Sequence, residues 1–207
     1  ILEKNSLYLH FYFRMNKARI TGFGSYVPER VLSNADLEKM VETSDEWIVS
    51  RTGMRERRIA SESEFSSTMG AKASRRAIAD ARCSPSEIDL ILFATLTPDY
   101  IFPSTACLVQ EALGIEGAAA VDIQAACTGY LYGLSMAKAY IESGMYRRVL
   151  LVTGEKLSSI VDYTDRNTCV LFGDGASACL VADSGPGYLL DGVSLGADGS
   201  QGELLIL

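Results

Sequence analysis

A chain of 207 residues, 48% hydrophobic and 22% charged, carries enough apolar material for one sizeable core or at most two. A formal net charge of −7 argues against general nucleic-acid binding and against an anionic membrane surface, and no apolar run reaches the roughly 18 residues a bilayer span needs. The five cysteines (Cys83, Cys107, Cys127, Cys169 and Cys179) are odd in number and show no CxxC spacing, which speaks against a metal site or disulfide framework and for a reducing cytoplasm.

Residues 1–14 lack an initiator Met and show no positive segment leading into an adequate apolar one. They read as a doubtful, disordered leader rather than a signal peptide, with Met15-Asn16-Lys17 as a natural start. Residues 18–27 mix apolar and small side chains, stop at Pro28, and predict a first strand. Ser33-Asn34-Ala35-Asp36 supplies caps for a short helix over 37–42, and Thr43-Ser44-Asp45-Glu46 is a second capping pattern ahead of Trp47-Ile48-Val49, with Gly53 closing the turn. Residues 51–58 hold four arginines against one glutamate. An alanine-rich helix follows over 66–82, then a capped turn at Ser84-Pro85-Ser86-Glu87, and then the apolar run 88–94, which suits a central parallel strand.

Residues 104–113 predict a helix stopped by Gly114, and 118–123 a buried strand. Further helix spans 128–143 and strand 148–153, followed by a polar loop over 162–167. Gly173-Asp174-Gly175 turns tightly into a fifth strand over 176–182. The chain ends on the apolar run 204–207 with no polar closing segment, so both termini read as cut. Alternating strands and helices predict a largely parallel sheet covered on both faces, with no repeat and no interdomain linker.

Cys127 stands in the turn between a predicted strand and a predicted helix. The surrounding Gln124-Ala125-Ala126-Cys127-Thr128-Gly129 is made of small residues that let a substrate approach the sulfur. Unpaired N–H groups and the macrodipole at a helix N-terminus favour a thiolate, the form that accepts an acyl group. The competing reading is a small buried side chain filling a tight junction. The other cysteines have poorer contexts: Cys107 is mid-helix, Cys169 and Cys179 lie in apolar strand patterns, and Cys83 is at a helix end, where the dipole opposes thiolate. A cysteine nucleophile commonly works with a histidine, but the only one is His10, in the leader. Gly22-Phe23-Gly24 lacks the third glycine and following helix of a dinucleotide fingerprint. Trp47, the single tryptophan, reads either as core or as a plate for a flat group with arginines nearby for phosphates. Asp165-Arg166 lies in a loop that could reach a ligand, and Phe102-Pro103-Ser104 is either a helix entrance or the wall of an apolar tunnel.

Five motifs in order, Thr43-Ser44-Asp45-Glu46-Trp47-Ile48, Arg51-Thr52-Gly53, Ala125-Ala126-Cys127-Thr128-Gly129, Thr164-Asp165-Arg166 and Phe172-Gly173-Asp174-Gly175, closely resemble β-ketoacyl-acyl-carrier-protein synthase III, the initiating condensing enzyme of bacterial type II fatty-acid synthesis. The resemblance runs from about Lys17 to Leu207. It implies an α/β, thiolase-like αβαβα layered fold built of two similar βαβαβ halves, of which residues 15–207 hold the first half and the start of the second, the C-terminal half being absent. It also implies that Cys127 accepts an acyl group, commonly acetyl, from acyl-CoA, with its own backbone N–H as one oxyanion donor. Trp47 and Arg166 would sandwich the CoA adenine, with Arg51 near the phosphates and Thr43 near the nucleotide. Phe102 would cross a homodimer interface to line the partner's acyl pocket. Acyl-CoA is a substrate here, so no cofactor is implied, and the second substrate is malonyl-acyl-carrier protein. The expected enzyme is cytoplasmic and binds neither nucleic acid nor membrane.

The family completes its site with a His and an Asn that stabilise the enolate left when malonyl loses CO₂, and neither has a counterpart in these residues. Asn167 stands where the family usually has Gly after Asp-Arg. Two alternatives remain at this stage. One is a related condensing enzyme of polyketide, quinolone or hydroxymethylglutaryl-CoA synthase type. The other is a truncated, non-catalytic remnant with one apolar face uncovered.

Overall fold

The protein is described here from a computed structural model covering residues 17–204 and 206. Its elements are β1 (Arg19–Tyr26), β2 (Arg30–Ser33), α1 (Asn34–Leu37), α2 (Asp45–Thr52), β3 (Glu56–Ile59), α3 (Ser66–Asp80) and β4 (Leu90–Ala94), followed by α4 (Thr105–Leu113), β5 (Ala119–Ile123), α5 (Gly129–Glu142), β6 (Arg148–Lys156), β7 (Asp174–Ala182) and β8 (Tyr188–Leu189). The expected leader, residues 1–14, lies outside the described residues.

Six strands form one sheet in the order β5-β4-β6-β7-β1-β8. β4 pairs in parallel with both β5 and β6. The expectation of a largely parallel sheet needs correction at β7, which runs antiparallel to both β6 and β1, and at β8, which is antiparallel to β1. A parallel return needs a crossover of a dozen or more residues, usually a helix. Residues 157–173 between β6 and β7 hold only a short 3-10 turn and loops, so the chain folds straight back. β1, β4, β5 and β6 still share one direction.

Both faces of the sheet are covered, by different means. On one face α3 and α4 bury Ala73, Ala77, Ile78 and Val109 against Ile91, Phe93, Leu150, Val152 and Leu180. On the other, α5 buries Leu134, Ala137 and Ile141 against Leu90, Leu92, Val149, Leu151 and Val181. A strand buried on both faces reads as a continuous apolar run, and every residue of β4 is buried.

The Gly22-Phe23-Gly24 stretch has a packing explanation. A Cβ at Gly24 would sit 2.2 Å from the carbonyl oxygen of Ala73, and one at Gly22 would sit 2.5 Å from that of Ala77. The small residues of α3 therefore ride directly on a glycine track in β1, bringing helix and sheet closer than any side chain would permit.

The antiparallel pair β2–β3, whose strands flank α1 and α2 in sequence, was not expected. It pairs Arg30 with Ile59 through to Ser33 with Glu56. Its second strand reads Glu56-Arg57-Arg58-Ile59, and the inward positions are Arg57 and Ile59. A buried arginine conceals the apolar alternation by which a strand is recognised. With α1 and α2 the strand pair closes a third cluster made of Leu32, Leu37, Ile48, Ile59, Cys169 and Val170. Cys169 thus belongs to a turn in this cluster, not to a strand. Among the described residues no helix is long and apolar enough to cross a membrane.

Candidate functional site

Because β1, β4, β5 and β6 point the same way, the loops leaving their C-terminal ends gather along one end of the sheet. The loop after β4 carries Phe102, the one after β5 carries Cys127, and the one after β6 carries Arg166. The segment after β1 leads through β2 and α1 into α2, which carries Trp47. β7 begins at the same end, since Asp174 is the register partner of Lys156. In open α/β sheets this is the end where ligands bind.

Cys127 lies in a 3-10 turn, Ala126–Thr128, that connects β5 to α5. Ala126 has φ 43°, a left-handed conformation costly for a residue with a Cβ, and such strain concentrates at functional turns. The Thr128 hydroxyl donates to the Ala125 carbonyl at 2.8 Å and tightens the turn. A Cβ at Gly129, the first residue of α5, would lie 3.0 Å from the Ala94 Cβ, so the helix starts hard against the end of β4. Cys127 alone among the five cysteines is exposed, while Cys169 and Cys179 are buried. It therefore fills no packing position, and the reading of a small buried side chain fails.

Ser44 caps α2 by accepting from the Trp47 N–H at 3.1 Å, and Gly53 ends the helix at φ 74°. The helix presents the Trp47 ring to two guanidinium groups: the Arg51 Cζ is 4.8 Å from the ring centroid and the Arg166 Cζ 4.5 Å. Arg166 comes from a loop organised by Asp165. The Asp165 carboxylate accepts from the Thr168 hydroxyl at 2.6 Å and from the Asn167 N–H at 3.0 Å, and these bonds hold its pKa below the ordinary value. The Asn167 side chain also donates to Asp165 at 3.2 Å, so the residue that departs from the family pattern is used within the turn itself. Thr43 precedes the α2 cap, and its hydroxyl is buried without a hydrogen-bond partner among the described residues.

The arginine run at 51–58 does not act as one patch. Arg51 faces Trp47, Arg55 lies 3.9 Å from Asp45, and Arg58 donates to the Pro28 carbonyl at 3.2 Å. Arg57 is only 5% exposed.

Phe102 stands at a protruding tip where Ile101 is 97% and Phe102 84% exposed. Three carboxylates hold the base of this loop, and sequence reading singled out none of them. Glu155 accepts from the Thr95 hydroxyl at 3.1 Å and from the N–H groups of Leu96 and Thr97 at 2.9 and 3.1 Å. Asp99 accepts from the Ser67 N–H at 2.9 Å and from its hydroxyl. Asp122 accepts from the Thr105 and Ala106 N–H groups at 2.7 and 2.8 Å, satisfying the first donors of α4. A carboxylate inside an otherwise apolar strand was the available signal for Asp122. Asp174, in the Gly-Asp-Gly motif, is a buried brace. It accepts from the Ala60 N–H at 2.6 Å and from the Ser158 N–H and hydroxyl at 2.9 and 2.6 Å. His10 lies outside the described residues.

An exposed thiol on a strained strand-to-helix turn thus shares one end of an α/β sheet with a cationic aromatic stack. The model of the family described as 3-oxoacyl-[acyl-carrier-protein (ACP)] synthase III matches residues 121–199. Over 192 residues the chain is 64% identical to the beta-ketoacyl-[acyl-carrier-protein] synthase III of Chlamydia pneumoniae, covering 92% of this chain and 57% of that protein. The crystal structure of 3-oxoacyl-(acyl carrier protein) synthase III from Pseudomonas aeruginosa PAO1 superposes with TM-score 0.86 at 40% identity, over 92% of this chain and 60% of that one. A priming β-ketosynthase from the R1128 polyketide biosynthetic pathway superposes with TM-score 0.80 at 40% identity, over 82% and 51%. Over nine-tenths of its length the chain is similar to β-ketoacyl-acyl-carrier-protein synthase III proteins, and it spans less than three-fifths of the length of the curated relatives it matches.

Proposed function

We propose that Cys127 is the nucleophile of an initiating condensing enzyme of fatty-acid synthesis and takes its acyl group, acetyl in the simplest case, from acyl-CoA. The Cys127 thiolate attacks the thioester carbonyl carbon, a new C–S bond forms, the bond to CoA breaks, and the released CoA thiolate takes up a proton. The observation that carries this reading is the placement of exposed Cys127 and of the Trp47–Arg51–Arg166 stack on loops leaving the same end of the sheet. The stack offers a flat π surface and two fixed positive charges. Adenine and phosphate require that pairing, so Trp47 and Arg166 would grip the base, with Arg51 and Thr43 beside the nucleotide.

Arg166 already lies over Trp47, so an adenine entering between them must lift the guanidinium away from the ring. In the second half-reaction malonyl-acyl-carrier protein loses CO₂ by C–C cleavage, and the carbanion attacks the acyl carbonyl and expels the Cys127 thiolate. The His and Asn that the family uses for that step are not among these residues, so the 207-residue chain is assigned only the acylation half. The reaction needs no resident cofactor. The exposed Ile101 and Phe102 support a homodimer in which the tip enters the partner's acyl pocket, and five cysteines free of disulfides support a cytoplasmic location.

The test is to incubate the chain with acetyl-CoA and map the modified peptide. Acetyl on the Cys127 peptide, abolished in Cys127→Ser, is the expected result; an unmodified Cys127 would overturn the assignment. The polyketide-priming relative favours one alternative, a different acyl donor. A panel of acyl-CoAs of increasing chain length separates the two readings, since a fatty-acid initiator should favour the shortest donors.

A further inference from the structure

We propose that Arg57 is a positioning residue that sets the spacing between Trp47 and Arg166 and so tunes affinity for the nucleotide end of the acyl donor. The inference rests on the proposed CoA reading of the Trp47 stack and adds a residue that touches no part of the ligand.

Arg57 joins the two arms of the stack through hydrogen bonds to neutral groups. One terminal nitrogen donates to the Leu32 carbonyl at 3.1 Å and to the Asn34 Oδ1 at 3.0 Å. The other donates to the same Oδ1 at 2.9 Å and to the Val170 carbonyl at 3.1 Å. From Asn34 the chain of bonds runs on to α2: its Nδ2 donates to the Asp45 carboxylate at 2.8 Å and to the Met54 carbonyl at 2.9 Å. Asp45 is the first residue of the helix that carries Trp47. Val170 belongs to the loop that carries Arg166, and that loop is closed by the Cys169 N–H on the Asp165 carbonyl at 3.0 Å. The third apolar cluster packs the same two arms together through Ile48, Cys169 and Val170, with Trp47 and Tyr163 against it. The path from Val170 through Arg57 and Asn34 to Asp45 therefore joins the loop that carries Arg166 to the helix that carries Trp47.

A guanidinium satisfies these acceptors at the cost of burying a charge. Among the described residues no carboxylate pairs with Arg57, and burial pushes its pKa down, so the protein bears an uncompensated charge in its interior. An apolar residue in its place would leave the Leu32 and Val170 carbonyls and the Asn34 Oδ1 without this donor. A planar fork does what an apolar side chain cannot, fixing three acceptors from two distant segments at one angle. Lysine keeps the charge but lacks the fork.

The experiment uses the 207-residue chain and the single tryptophan it contains, whose emission reports the stack directly. CoA is titrated against wild type, Arg57→Lys and Asp45→Ala while Trp47 fluorescence is followed. Cys127 acylation rates are measured with acetyl-CoA and with the acetyl thioester of N-acetylcysteamine, which has the reactive group and no nucleotide. Wild type should show a saturable change. Arg57→Lys should weaken CoA binding and slow acylation by acetyl-CoA by about tenfold or more, the scale of a mispositioned contact, while the rate with the small thioester is unchanged. Asp45→Ala, at an exposed outer link, should move both quantities the same way by a smaller factor.

Equal CoA midpoints in all three proteins would overturn the inference, as would equal losses with both thioesters, which mark general destabilisation. If far-ultraviolet circular dichroism shows Arg57→Lys unfolded, Asp45→Ala decides alone. Silence of wild-type Trp47 toward CoA would overturn the nucleotide reading itself, and this inference with it.

Discussion

At the scale of single residues, Cys127 differs from the other cysteines in access and not only in neighbours. Burial pushes the Cys83 and Cys179 thiols up to about 11, and Cys169 is also raised by burial. Limited iodoacetamide at neutral pH should therefore place its first label on Cys127, read by peptide mass, and a first label on Cys83 would contradict the assigned geometry. The short-range signal at Cys127, small residues between an apolar strand run and a helical run, was legible because strand, turn and helix are adjacent in sequence. Arg57 was illegible for the opposite reason. It stands in a charged run that reads as a solvated face, and only the approach of Val170, far along the chain, makes it interior.

Among elements, the contact of β1 with α3 makes the sharpest demand on composition. Gly24→Ala would drive a Cβ to 2.2 Å from the Ala73 carbonyl oxygen, main chain against main chain with no rotamer to absorb it. It should destabilise the fold by about 1–3 kcal/mol in urea unfolding. Gly192→Ala, where a Cβ meets nothing within 4 Å, should stay within about 0.5 kcal/mol. β1, α3 and the segment before α3 are also tied by charge. The Tyr26 hydroxyl donates to Glu64 at 2.5 Å, and Lys72 donates to both, at 2.8 Å to Tyr26 and 3.0 Å to Glu64. The Tyr26 hydrogen bond leads in lowering the Glu64 pKa from its ordinary 4.5 to about 2, with the Ser61 N–H and Lys72 assisting. A carboxyl depressed in the folded state stabilises above its unfolded pKa and loses that contribution as pH falls through its folded one. Glu64→Gln should therefore cost stability at pH 7, and its unfolding curve should converge on wild type as pH falls from 4.5 toward 2. A difference independent of pH would refute the charge argument. Five of the six strands of the main sheet were legible in sequence, whereas the two-residue β8 was not, nor were β2 and β3, because four-residue strands with an arginine turned inward carry no apolar period.

For the whole molecule, the exposed surfaces matter as much as the core. β5 pairs only with β4 among the described residues, its outer edge is free, and Val121 on it is exposed. The Ile101–Phe102 tip protrudes beside it. An open edge next to an apolar tip is a template for pairing with a second copy. The chain is expected to self-associate in sedimentation velocity, and Ile101→Glu with Phe102→Glu should shift it toward monomer without changing its circular dichroism. Unchanged sedimentation would remove the tip from the interface.

The sequence by itself determined the main strands and helices, their caps at Ser44, Gly53, Ser104 and Gly114, and the candidate residues Cys127, Trp47, Arg51 and Arg166. These depend on period, propensity and motif, which are local. The tertiary structure alone decided that β7 returns antiparallel and that the arginine run divides into a stacking residue, surface residues and a buried tie. It also decided that Glu155, Asp99 and Asp122 hold the Phe102 loop. Each of those outcomes depends on which distant backbone donor or acceptor a side chain meets, and that is settled only when the sheet brings the ends of its strands together.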